Sequence, residues 1–187
     1  MGAAGQAALS EQPEIMELFR VLEGNGMTKE LQEVDSLVKY LESMESQFGQ
    51  VLDELQEVRA QLTQMEDKGI GAATTRLVER AEDKVQEIGE QLIKVRNNLI
   101  QSAKYAVTVF QEKGTDALRN AVSAMKIPAV LSALKESFHR GMESMNRNAE
   151  KMETISSEVH AIGGHVKNIG RILLGRERKA PENPKVG

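Results

Sequence analysis

Ten apolar residues, alternately three and four positions apart, run through Val34, Leu37, Leu41, Met44, Phe48, Val51, Leu55, Val58, Leu62 and Met65 with no rung left polar. That spacing lies close to the 3.5-residue period at which a helix keeps one stripe turned toward a neighbouring helix. With Val34 at position a, Leu41, Phe48, Leu55 and Leu62 share that position, and Leu37, Met44, Val51, Val58 and Met65 occupy d. Val38 and Leu52 widen the stripe at e, which favours contact with more than one helix.

Two further ladders follow. The second starts at Val78 and runs through Ala81, Val85, Ile88, Leu92, Val95, Leu99, Ser102 and Ala106 to Val109, with Leu77, Ile93, Ile100 and Phe110 beside it. The third passes Leu131, Leu134, Phe138, Gly141, Met145, Asn148, Met152, Ile155, Val159, Ile162, Val166, Ile169 and Leu173. Asn148 is a polar rung of the kind that sets register or partner number at a cost in stability. Gly141 either leaves a hole or permits close approach, and Gly163 and Gly170 form a small-residue stripe along the ladder's edge.

Breakers divide these ladders. Pro13 suits a first helical position, and Ile15, Leu18, Phe19 and Leu22 make one face of a short helix that Gly24-Asn25-Gly26 ends. Thr28 is a candidate cap for the next helix, Gly69-Ile70-Gly71 a break, Thr115 and Asp116 a fresh cap, and Pro128 a corner. The expected organisation is a disordered N-terminus over 1–10, a short amphipathic helix and turn over 11–26, and a coiled-coil or bundle region over 27–175. Its helices are expected at about 28–68, 72–113, 115–126 and 128–175, followed by a disordered tail over 176–187. The fold class is therefore all-α, with long heptad-bearing helices. They form either an antiparallel three-helix bundle or an extended coiled coil; the wide stripes favour folding back.

Composition narrows the functional classes. Aromatic residues make up 3% of the chain and tryptophan is absent, so thin layers of aliphatic side chains are expected instead of a thick globular core. There is no cysteine, which removes disulfides and thiolate metal sites. Residues 11–68 hold fourteen acidic and five basic side chains, a net of −9, whereas residues 69–187 hold fourteen acidic and nineteen basic, a net of +5. The two regions are thus able to attract each other within one molecule or between copies. No secretory signal and no spanning segment is evident, so a cytoplasmic location is expected.

Candidates for chemistry are few. His160 and His165 are five residues apart, about 140° around a helix, and cannot chelate one ion from a single face. His139 has Glu136 and Glu143 at helical spacing. Lys113-Gly114-Thr115 lacks the preceding glycine and strand that a phosphate loop needs. No catalytic residue, cofactor site or metal site is expected. The remaining signal is a basic amphipathic end, where Lys167, Arg171, Arg176, Arg178 and Lys179 accompany Val166, Ile169, Ile172, Leu173 and Leu174. Such a pattern contacts anionic lipid or phosphate, or complements its own helix dipole and acidic neighbours.

Four stretches carry a resemblance: EQPEIMELFRVLE from Glu11, LDELQEVRAQL from Leu52, AVSAMKIPAVLSALK from Ala121 and GGHVKNIGRILLGR from Gly163. Through them residues 11–178 resemble an uncharacterised family of helical proteins from gut Firmicutes, often encoded on integrative and conjugative elements. The resemblance implies a bacterial mobile-element accessory and brings no activity, cofactor or binding site.

The expected function is a non-catalytic helical scaffold or adaptor whose partner is another helical protein or a second copy. Its candidate contacts are the ten rungs from Val34 to Met65, with Asn148 as a specificity element. One alternative is an amphipathic protein that associates with an anionic membrane surface. Another is a DNA-transfer accessory that binds through the basic C-terminal helix, nucleic acid being the least favoured partner.

Overall fold

The computed structural model describes residues 8–64, 68–156 and 160–175, with side chains described except over 65–70 and 155–161. Among the described residues the chain is helical, without strands. A 3-10 turn at Leu9–Glu11 precedes α1 (Pro13–Gly24), α2 (Thr28–Leu62), α3 (Lys68–Lys113), α4 (Thr115–Ala124), α5 (Ile127–Ser156) and α6 (His160–Leu173). The chain divides into two compact units. The first holds residues up to Glu45 together with Glu90–Ser137, and the second holds Ser46–Gly89 together with residues from Phe138 onward.

In the first unit, α1 buries Ile15, Leu18 and Leu22 because their spacing places them on one face. It closes with a Schellman turn. Gly26 takes φ +66°, its N–H reaches the Glu23 carbonyl at 3.1 Å, and the Met27 N–H reaches the Leu22 carbonyl at 3.0 Å. Met27 then leads straight into α2, where its carbonyl accepts from the Leu31 N–H at 3.0 Å. Met27 therefore takes the capping position expected of Thr28. Leu9 is fully buried and the Ser10 N–H donates to Glu42 at 2.7 Å, so residues 8–10 are ordered against α2. Residues 1–7 and 176–187, where disorder was expected, lie outside the described residues.

Ion pairs and caps complete this unit. Arg96 of α3, only 7% exposed at its side chain, lies 3.2 Å from Glu45 of α2. Lys135 of α5 sits 5.7 Å from the centre of the Tyr40 ring, and burial pushes that phenol's pKa up. Gly114, at φ +88°, occupies the N-cap of α4, and Thr115 turns its hydroxyl to Asn25 at 3.3 Å. α5 starts at Ile127 with Pro128 second, a place where a missing N–H costs nothing. Lys126, just before it, has φ +50°.

The second unit is built from residues 46–62 of α2, 68–89 of α3, 138–156 of α5, and α6. Phe48 and Phe138 meet edge to face with centroids 5.9 Å apart. Arg59 of α2 grips Glu82 of α3 through two hydrogen bonds of 2.9 Å. A Cβ at Gly141 would lie 2.7 Å from Ile88 Cδ1, so this glycine permits close approach of α5 to α3. Gly163 and Gly170 have nothing within 4 Å of a notional Cβ, so no neighbouring backbone explains that stripe.

Several expectations are corrected here. The third ladder does not belong to one helix over 128–175: α5 ends at Ser156 and α6 reverses, bringing its end back to the level of Met142 in α5. Gln47 of α2 marks the reversal, since its amide contacts Met142 Sδ at 3.8 Å and donates to the Ile172 carbonyl at 2.7 Å. Apolar periodicity continues across residues 155–162, so spacing held no sign of a turn. The second correction is Ile93, which lies beside the second ladder in sequence but is 52% exposed. Ala103, fully buried, takes the place expected of the half-buried Ser102. The break expected at Gly69-Ile70-Gly71 falls earlier, since α2 ends at Leu62 and α3 already begins at Lys68. Buried neighbours such as Thr74 and Val78 outweigh the weak helix propensity of two glycines in the first turn.

Candidate functional site

The first ladder lies inside the protein. Val34, Leu37, Leu41 and Met44 are buried in the first unit, and Phe48, Val51, Leu55, Val58 and Leu62 in the second, none more than 9% exposed. Met65 lies outside the described residues. These rungs were read as candidate partner contacts, yet the chain's own helices cover them. A partner would reach them only by displacing one of those helices. Asn148 is half-buried on α5, while the adjacent Ala149 is the buried residue.

The basic end is only partly a free surface. Lys167 is exposed on α6, but Arg171 is half-buried and turns its guanidinium to the Asn168 side-chain oxygen at 3.4 Å. Arg176, Arg178 and Lys179 lie outside the described residues. On the inner side of α6, His165 Nδ1–H donates to the Glu54 carboxylate at 2.7 Å, and Asn168 donates to its other oxygen at 3.5 Å. Glu54 is 6% exposed and Asn168 3%. A carboxylate this deep requires such donors, since burying it without them would cost several kcal/mol. The arrangement orients α6 on α2, and Gln47 pins its last turn.

His139 pairs with Glu143 one turn away at 3.1 Å on an exposed face. The side chain of His160 lies outside those described. Among the described residues no group of three or more potential metal-ligating side chains converges.

A different feature of the second unit has the character of a contact site. Where antiparallel α3 and α5 meet, Ala73 and Leu77 form the apolar floor of an open cleft of about 370 Å³, with Arg76 and Arg80 on one lip and Lys151 and Thr154 on the other. Leu77 is 7% exposed, so the floor is recessed below its rim. Arg76 and Arg80 are one turn apart, as i and i+4 on one face. Sequence reasoning passed over this cleft. Glu79, Glu82 and Asp83 lie between and beyond the arginines and bring the local charge near zero. Only the fold brings Lys151 opposite them.

The fold and the cleft define a helical-bundle protein, and no helix among the described residues is long and apolar enough to cross a membrane. The chain belongs to a family of unknown function, DUF6674, which it matches over residues 11–187. No curated protein and no solved structure matches it.

Proposed function

We propose that the protein is a non-catalytic helical adaptor that holds a protein partner, or a second copy of itself, against its exposed helix surfaces. The supporting observation is the cleft between α3 and α5, which offers apolar contact and positive charge without drawing on the core. The rungs from Val34 to Leu62 then serve the contact indirectly, by fixing the helices that frame it. A bacterial mobile-element accessory in the cytoplasm is the setting that the sequence resemblance suggests.

The test is photo-cross-linking in the cell of origin from a photoreactive residue at Ala73, with light scattering after size exclusion at two concentrations. The expected result is a discrete cross-linked protein species, or a mass above the 20.6 kDa of one chain. A monomer at both concentrations, with no discrete cross-linked species, would overturn the reading.

A second reading, membrane-surface association through α6, draws on Leu174, which is 66% exposed beside Lys167 and Arg171. It requires co-sedimentation with anionic vesicles that fades in high salt.

A further inference from the structure

Among the described residues, no side chain forms an ion pair with the three cations of the cleft. Arg76, Arg80 and Lys151 make no hydrogen bond or ion pair there. Two of the acidic residues along α3 are engaged elsewhere: Glu82 is bonded to Arg59 of α2, and Glu79 adds to the field on that same guanidinium. Surface cations are ordinarily balanced by neighbours one turn away, as Lys39 is by Asp35 and Lys84 by Glu87. Here the charges from two helices border one apolar floor and make no ion pair among the described residues.

The shape of the cleft selects among anionic partners. Its floor lies below the cationic rim, so a flat bilayer would meet the rim and leave Leu77 untouched. Its lining has no aromatic ring on which a base could stack, which removes the main sequence-tolerant grip on single-stranded nucleic acid. A groove between two helices accepts the apolar ridge of a third, with flanking charges reaching the rim.

Resting on the adaptor reading above, we propose that the α3–α5 cleft of the second unit is a docking site for an acidic amphipathic helix of a partner protein. Its apolar ridge lies on Ala73 and Leu77, and its flanking carboxylates pair with Arg76, Arg80 and Lys151.

The test uses the full chain and a labelled, alanine-rich peptide of about three heptads with leucine at the seam positions and glutamate on the flanks. Fluorescence anisotropy at low salt should show saturable binding, weakened at least roughly tenfold by R76E/R80E. K94E/K104E, which reverses exposed cations elsewhere on α3, should bind as the unaltered chain does. A peptide with lysine replacing its glutamates should prefer R76E/R80E, which also shows that this variant is folded. The proposal is overturned by absence of binding, by equal binding of a scrambled peptide of the same composition, or by equal binding to R76E/R80E. Stronger binding of a labelled oligothymidylate lost with the same two arginines would overturn it in favour of a phosphate partner. If cross-linking from Ala73 still yields a discrete species while the peptide fails, the docking proposal falls and the adaptor reading stands; if both fail, both fall.

Discussion

At the residue scale, backbone conformation and local space decide what each substitution does. Lys126 sits just past the end of α4 at φ +50°, where a side chain costs about 1–2 kcal/mol. K126G should relieve that cost, less the added freedom of the unfolded chain, and stabilise by about 0.5–1 kcal/mol. Thermal unfolding should shift upward by roughly 1–4 °C; an unchanged or lowered midpoint would show that the lysine is not strained. The glycines separate in the same way. G163A fills open space inside a helix and should stabilise by roughly 1 kcal/mol. G141A gains the same propensity but drives a methyl to 2.7 Å from Ile88 Cδ1, a clash worth about 1–3 kcal/mol. Denaturant midpoints should therefore rise for G163A and stay level or fall for G141A. The identities of these glycines were legible in the sequence. Which one touches a neighbour was not, because that depends on the packing of α3 against α5. Gly26 is the contrasting case, since Asn25-Gly26 after an amphipathic face announces a helix end whatever packs around it.

At the element scale, the sequence carried the existence of the helices far better than their directions. α1 covers Pro13–Gly24, α4 covers Thr115–Ala124 and α2 covers Thr28–Leu62. The reversal at the end of α5 was illegible because the apolar rungs continue through it at unbroken spacing. Direction is instead set by polar side chains far apart in sequence: Gln47 on the Ile172 carbonyl, and Glu54 on His165 and Asn168. If these contacts hold α6 in place, removing the acceptor should act on that helix above all. E54A would leave the His165 and Asn168 donors without it in a buried seam, at a cost of about 1–3 kcal/mol. Hydrogen exchange should then quicken in α6 more than in α1 or α4. Uniform acceleration along the chain, or none, would show that the seam does not anchor the helix. The contact cleft escaped sequence reasoning for a related reason: Arg76 and Arg80 are legible as a pair one turn apart, but that Lys151 faces them, and that none of the three is paired among the described residues, are properties of the folded chain.

At the scale of the whole molecule, charge explains why an acidic first segment and a basic remainder coexist in one chain. Residues 11–68 carry a net of −9 and residues 69–187 a net of +5, and in each unit individual acidic side chains of α2 meet basic or imidazole side chains of later helices. In the first unit Glu45 faces Arg96 and Glu30 lies 4.0 Å from Arg119; in the second Glu54 holds His165. Arg59 with Glu82 reverses the polarity and marks the one place where α2 supplies the cation among these pairs. Pairs differ in their response to salt, because screening acts on exposed charges and barely on buried ones. Arg96 and Glu54 are largely shielded, whereas Arg119 is 55% exposed at its side chain. Raising salt from low to molar concentration should therefore cost the fold little, about 1 kcal/mol or less from the exposed pairs. Binding at the cleft should weaken steeply over the same range, since Arg76 and Arg80 are exposed and Lys151 stands at the opposite rim. Chloride is the salt to use, because sulfate would itself strengthen apolar burial. Thermal melts and peptide anisotropy across one chloride series separate the two effects. A fold that loses stability as fast as the peptide dissociates would mean that the exposed charges hold the helices together and are not left over for a partner.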